Sequence, residues 1–281
     1  MAVVTSPDKA RGRFLKTEGS PIKQAALDLK LPVHDYEKVH AGKVLEAVKA
    51  LSPDFLIVVS FGFILSRDFL NLPKISALNI HPSLLPCYRG ASPMPWTLLE
   101  GDRRTGVSVI CMNERMDAGD VAMQASVALE GNEDLPMLEK NLSVLGGELI
   151  VRVLDEWKSG TIHPAPQDEK SATYTRKFTK EDARLNFSLS AEVLERRVRA
   201  LRGWPGTFCL VQGKRLVVHE AVVVSGSGVP GTRLASDPGK VEIACGSDAL
   251  SLKNVQLEGK KPMPTADFLR GFPLKAAEKF E

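Results

Sequence analysis

The stretch from Ser76 to Asp120 constrains this chain more than any other. An apolar run ends in Asn79-Ile80-His81. A loop broken by proline and glycine follows from Pro82 to Gly90, then a helical piece, then a second strand from Gly106 to Met112 that runs into Met116-Asp117-Ala118-Gly119-Asp120. Strand alternation puts Asn79 and His81 on one face, two residues apart. An amide, an imidazole and a carboxylate thus stand at or near the ends of two strands, where open α/β sheets place their sites. Each alone has a plainer reading. A histidine after an apolar strand is commonly a satisfied structural residue, an aspartate before Ala-Gly can cap a turn, and an asparagine can bridge backbone groups. The three carry chemistry only if they converge.

The rest of the chain narrows the class. With 43% hydrophobic and 25% charged residues in 281, it reads as a soluble globular protein of one large or two ordinary domains. No apolar run approaches the ~20 residues that cross a bilayer. The four cysteines, Cys87, Cys111, Cys209 and Cys245, are far apart and form no C-x-x-C, which argues against a zinc site or a disulfide framework. Net charge is +3 but uneven: from Thr161 onward there are 19 Lys and Arg against 14 Asp and Glu, and before it 18 against 20. A basic C-terminal part is a weak pointer to a polyanionic partner.

Along the chain, Ala2-Val3-Val4-Thr5 allows only a very short strand, closed by Ser6-Pro7-Asp8. Lys9 to Lys23 is a basic, glycine-bearing loop, a form that can reach phosphates. Ser20-Pro21 starts a helix. Asp54 to Ser60 is an apolar run of the kind buried on both faces of a sheet. His34 and His40 are taken as surface residues. Leu138, Leu142, Leu145, Leu149, Val153 and Trp157 recur at helical spacing, with a stop near Gly160. Gln167 to Lys180 is polar and charged, a linker. Ser190 caps a helix over Ala191 to Leu201. Short apolar or alternating runs then follow at Thr207–Gln212, Leu216–Val224, Gly231–Ala235, Val241–Cys245 and Leu250–Leu257, the pattern of a small barrel.

The ordered set N-I-H-P-S-L-L-P-C-Y-R-G, T-G-V-S and M-D-A-G-D resembles the signature of the folate-dependent formyltransferases, and the segment L-S-L-K-N-V-Q-L-E-G-K-K-P-M with A-D-F-L-R-G resembles the end of that family's tRNA-acting branch. The resemblance implies an α/β fold: a Rossmann-like doubly wound catalytic domain over 1–165, a basic linker over 166–185, and a small OB-like β-barrel over 186–281. It also implies a strand, a glycine turn and a helix ahead of Ala2. Without them the sheet is expected to hold two unpaired edges.

The resemblance assigns catalysis to Asn79, His81 and Asp117, and folate binding to Ser83, Leu84, Leu85 and Pro86. Contacts to tRNA fall to Arg13, Lys16, Lys253 and Lys260. The donor implied is 10-formyltetrahydrofolate, the acceptor the methionyl amine of initiator methionyl-tRNA, and no metal is needed. Asn79 and His81 would each donate a hydrogen bond to the oxyanion. Asp117 would hold a water or His81 and shuttle the amine proton. A monomer is expected, in a mitochondrion, less so a plastid, or in bacterial cytoplasm. Two other readings stay open: a chain that binds tRNA or folate without turnover, and formyl transfer to a different amine.

Overall fold

Ala-Val-Val-Thr is just long enough for β1 (Val3–Thr5) before Pro7 ends it. In the computed structural model the described residues are all but 12–15, 37–41, 62–64 and 236, and for 9–11 and 16–18 the description is of the backbone. A hairpin of β2 (Lys9–Arg11) and β3 (Lys16–Glu18) follows. Ser20 then caps α1 (Pro21–Asp28), its hydroxyl accepting from the Lys23 N–H at 3.2 Å. β4 (Val33–Asp35) pairs in parallel with β1. Beyond α2 (Gly42–Ala50), β5 (Phe55–Val59) leads through α3 (Arg67–Leu70) to β6 (Ser76–His81), and β5 and β6 also pair in parallel. These elements up to Ile80, with 110–120, form one compact unit.

Within that unit β1–β4 and β5–β6 lie in separate sheets. The Asp54–Ser60 run was expected to be buried on both faces, and only one face is. Leu56 and Val58 pack against Val44, Val48 and Phe69 of α2 and α3. The opposite face leaves Ile57 and Val59 at 41% and 58% exposure. The apolar composition of β5 is therefore not matched by cover on that side.

The second unit comprises 81–109 and 121–281. It opens with the short β7 (Arg89–Gly90) and with α4 (Pro93–Glu100), whose end is marked by Gly101 at φ +74°. β8 (Arg104–Cys111) neighbours β9 (Val121–Ala128). Gly106 is required there, because a Cβ on it would stand 2.1 Å from the Ala125 carbonyl oxygen. The apolar stripe forms α5 (Leu135–Ser159), capped by the Asp134 carboxylate and stopped at Gly160. Leu138, Leu142, Leu149 and Val153 are among its buried residues, each apolar side chain worth about 1.5–3 kcal/mol.

β10 (Tyr174–Thr175) pairs in parallel with β7. α6 (Ala191–Ala200) is capped by Ser190 as expected. The chain then forms a curled antiparallel sheet of β11 (Thr207–Val211), β12 (Lys214–Val224), β13 (Val241–Ala244) and β14 (Ala249–Leu257) in the order β11-β12-β14-β13. A register shift at Glu220 lets β12 bend. β15 (Met263–Pro264) adds to β14, and α7 (Thr265–Gly271) follows. Leu194, Val198, Leu216, Val218, Leu250 and Leu252 belong to the core beneath. The run 231–235 makes isolated bridges instead of a strand, Thr232 to Lys279 and Arg233 to Ile243. Its backbone bonds to Glu242 and Ala244 lay it along β13, and the buried Arg233 side chain donates to the carbonyls of Pro238, Lys240 and Leu274.

Candidate active site

β6 carries Asn79 to its penultimate turn of side chains, and the loop after β8 carries Asp117 back towards it. Asn79 Nδ2 donates to Asp117 Oδ1 at 3.3 Å, both residues half-buried. A carboxylate beside an amide repels the amide oxygen and attracts its N–H₂, so the pair sets which end of Asn79 faces Asp117. One N–H is spent on Asp117 and the other is available to a second acceptor. Asp117 has φ +48°, a left-handed conformation that aspartate and asparagine tolerate better than most residues. Gly119 is explained by the same turn: a Cβ there would come within 1.7 Å of the Cys111 carbonyl oxygen.

His81 ends β6, two residues after Asn79, and is 4% exposed. Its Nε2 lies 2.9 Å from the Tyr88 carbonyl oxygen. A carbonyl only accepts, so Nε2 carries the hydrogen. The other ring nitrogen, Nδ1, then bears a proton only in the imidazolium form.

The loop expected to bind folate is held from behind. Ser83 is fully buried and its hydroxyl donates to the Cys87 carbonyl at 2.6 Å. Ser108 of the T-G-V-S motif donates to the Ser83 carbonyl at 2.6 Å and accepts from the Leu85 N–H at 3.0 Å. Gln124 Nε2 bridges Ser108 Oγ and the Leu85 carbonyl. Leu85 is also buried, whereas Leu84 and Pro86 are half-buried. Leu84 opens onto a cavity of about 590 Å³, with Cys87, Tyr88, Trp96, Arg104 and Tyr174 among its walls. Burial first, then the adjacent Asp102 carboxylate that accepts from its hydroxyl at 2.6 Å, push the Tyr88 phenol well above its ordinary value.

Comparison with known proteins decides the family. The Formyl transferase family profile matches residues 1–154, and that of the Formyl transferase C-terminal domain matches 177–273. The chain belongs to the formyl transferase family. Among its relatives, the methionyl-tRNA formyltransferase of Myxococcus xanthus is 40% identical over 274 residues, 98% of this chain and 88% of the relative. That of Sulfurihydrogenibium sp. is 35% identical across all of this chain and 92% of its own length. Two solved structures share the fold. HypX from Aquifex aeolicus in complex with tetrahydrofolic acid has a TM-score of 0.68 at 21% identity, covering 100% of this chain and 50% of that one. The methionyl-tRNA formyltransferase from Clostridium thermocellum has a TM-score of 0.59 at 18% identity, covering 82% of this chain and 96% of that one.

Within this formyl transferase the residues expected to meet tRNA stand in two stretches of the sequence, 13–16 and 253–260. Arg13 lies outside the described residues, and Lys16 stands in β3. Lys23, at the end of the same basic stretch, is engaged by Asp8 and Asp35 at 2.8 Å each, and these carboxylates raise its pKa. Lys253 of β14 and Lys260 just beyond it are exposed. His34 is half-buried and stacks on Tyr36, while His40 lies outside the described residues. Among the described residues no group of His, Cys, Asp and Glu is placed to hold a metal ion, and no helix is long and apolar enough to cross a membrane.

Sequence reasoning missed two polar centres of this formyl transferase. Ser108 was visible only as a letter in T-G-V-S. The other is Arg89, visible only as the R of P-C-Y-R-G. It is fully buried, with donors aimed at Gln167, Glu169 and Tyr174, across a separation of about eighty residues that no local pattern reports.

Proposed function

We propose that this chain transfers the formyl group of 10-formyltetrahydrofolate to the methionyl amine of initiator methionyl-tRNA. The observation that carries the reading is identity of 34–40% with methionyl-tRNA formyltransferases over 98% or more of the chain, taken with an Asn79–Asp117 pair at bonding distance. In this reading the amine attacks the formyl carbon on N10. Negative charge builds on the formyl oxygen, and the second N–H of Asn79 is the donor for it. The Asp117 carboxylate, held by the first N–H, takes the proton from the attacking amine, directly or through a water, for delivery towards N10. His81 acts from Nδ1, as a donor when cationic or as an acceptor when neutral.

Leu84 borders the donor pocket, while Ser83, Leu85 and Pro86 complete the loop that binds the folate. The backbone of the acceptor is met by Arg13, Lys16, Lys253 and Lys260, spread over a catalytic part to about 165 and a C-terminal part from about 186. The protein acts as a monomer wherever translation starts with a formylated initiator, in bacterial cytoplasm or in an organelle, a mitochondrion before a plastid. The test is formyl transfer from 10-formyltetrahydrofolate to charged initiator tRNA by the purified chain. Product requiring both the folate and the methionyl-tRNA supports the reading. Absence of product with folate still bound shifts it to another amine or to a binding protein.

A further inference from the structure

The segment 167–175 does not hang between the two halves of the chain; it grips the loop that follows His81. Thr173 N–H donates to the Pro86 carbonyl at 3.2 Å, and the Thr173 carbonyl accepts from the Arg89 N–H at 2.8 Å. The Thr173 hydroxyl accepts from the Tyr88 N–H at 2.8 Å, and the Thr175 hydroxyl donates to the Arg89 carbonyl at 3.1 Å. The side chain of Arg89 pins this ladder. It is fully buried and forks onto the Glu169 carboxylate at 3.0 and 3.2 Å. It donates twice more to Gln167 Oε1, at 3.0 and 2.8 Å, and to the Tyr174 hydroxyl at 3.0 Å. Bidentate, charge-assisted contacts of this kind fix geometry as well as adding attraction.

Between the grip and His81 stands one residue. Tyr88 has φ +61°, the left-handed region, which a bulky side chain occupies only when its surroundings hold it there. That conformation aims the Tyr88 carbonyl at His81 Nε2. Released to negative φ, the peptide would turn the carbonyl away, and the imidazole would lose the acceptor that sets its tautomer.

We propose that the 167–175 segment is a clamp, pinned by Arg89, that holds His81 in its Nε2–H tautomer through the Tyr88 carbonyl. Arg89 is on this account a positioning residue. The catalytic consequence rests on the formyl-transfer reading above; the structural consequence does not. Arg89→Lys keeps the charge and loses the fork. Thr173→Val, at an exposed position, removes only the acceptor for the Tyr88 N–H. Imidazole ¹⁵N spectra, with His81 assigned by loss of its signals in His81→Asn, report the tautomer directly. Formyl-transfer kinetics report kcat and KM for both substrates.

In the unaltered protein His81 is expected to show the Nε2–H pattern. Both variants are expected to show a mixture of tautomers, with kcat down about tenfold, KM within twofold, and a displaced pH profile. A His81 spectrum and a pH profile unchanged in folded Arg89→Lys and Thr173→Val overturn the clamp. So does a loss confined to KM. Where Arg89→Lys does not fold, Thr173→Val decides alone. If the unaltered protein formylates no methionyl-tRNA, the functional reading fails while the spectra still judge the clamp.

Discussion

In the proposed mechanism Asn79 and Asp117 divide one task, and their separate removal should have separate signatures. Asp117→Asn keeps the size and tolerates the left-handed backbone at this position, so the fold and folate affinity should survive. Turnover should fall by about 10²–10⁴ with loss of the proton acceptor. Steady-state kinetics beside an equilibrium folate titration would check this, and a fully active Asp117→Asn would rule the mechanism out. Asn79→Ala removes the oxyanion donor and should lower kcat by about 10²–10³. Both residues were singled out by a long ordered motif, Asn79 also by strand alternation, and the structure brings their side chains to bonding distance. The acceptor of His81 was not legible in the sequence. It is a backbone carbonyl aimed by a tyrosine in a conformation rare for tyrosine, and no residue pattern encodes that.

Among elements, the turn that returns from β8 is the least forgiving. Gly119→Ala would drive a methyl into the Cys111 carbonyl oxygen, and there is no flexible side chain to yield. A loss of about 3 kcal/mol is expected, read as a lowered thermal midpoint. The short turn at Thr179–Ala183 answers to acid instead. The Arg176 guanidinium, forked onto Asp182 at 2.6 and 2.7 Å, holds that carboxyl well below the usual carboxylate range. A folded pKa below the unfolded value of about 3.9 gives stability that is complete above that pH and is lost as pH falls below it. Arg176 is more than half exposed, so the effect is screened. Asp182→Asn should therefore have a lower urea midpoint than the unaltered protein at pH 7, and the gap should narrow as the pH falls below about 4.

Elements with a strong period were read closely: α5 and α6 lie where their stripes and caps put them, and β11, β12, β13 and β14 fall within two residues of the expected runs. The β5 run misled, because burial on both faces is a property of neighbours and not of the run itself. Gly231–Ala235 lies along β13, bonded to Glu242 and Ala244, but pairs there and with Lys279 only as isolated bridges.

For the whole molecule, affinity for tRNA should be set by charge distributed over distant segments. Arg13→Ala, and Lys253→Ala with Lys260→Ala, should each weaken binding at every tRNA sequence tested. Each lost phosphate contact should reduce the slope of log K against log salt by about 1, which filter binding across a salt series would measure. The compact units are not the two parts that the sequence leads one to expect. Helix α6, from beyond the linker, belongs with α4 and the start of α5. Arg196 Nε donates to the Leu99 carbonyl at 2.9 Å, Arg199 to the Glu133 carbonyl at 2.6 Å, and Arg202 to Asp134 at 2.6 Å. Ala191, Leu194 and Val198 form the buried side of α6, and Arg196 and Arg199, with Arg202 just past its end, hold the other.

Those three arginines give the C-terminal half a dependence that a beads-on-a-string arrangement would lack. A protease nick at exposed Lys170 or Lys177 should not release a free barrel. The fragments should co-elute on gel filtration and part only in denaturant. The barrel and the α4–α5 layer should melt in a single calorimetric peak, so that damage to either is felt by both.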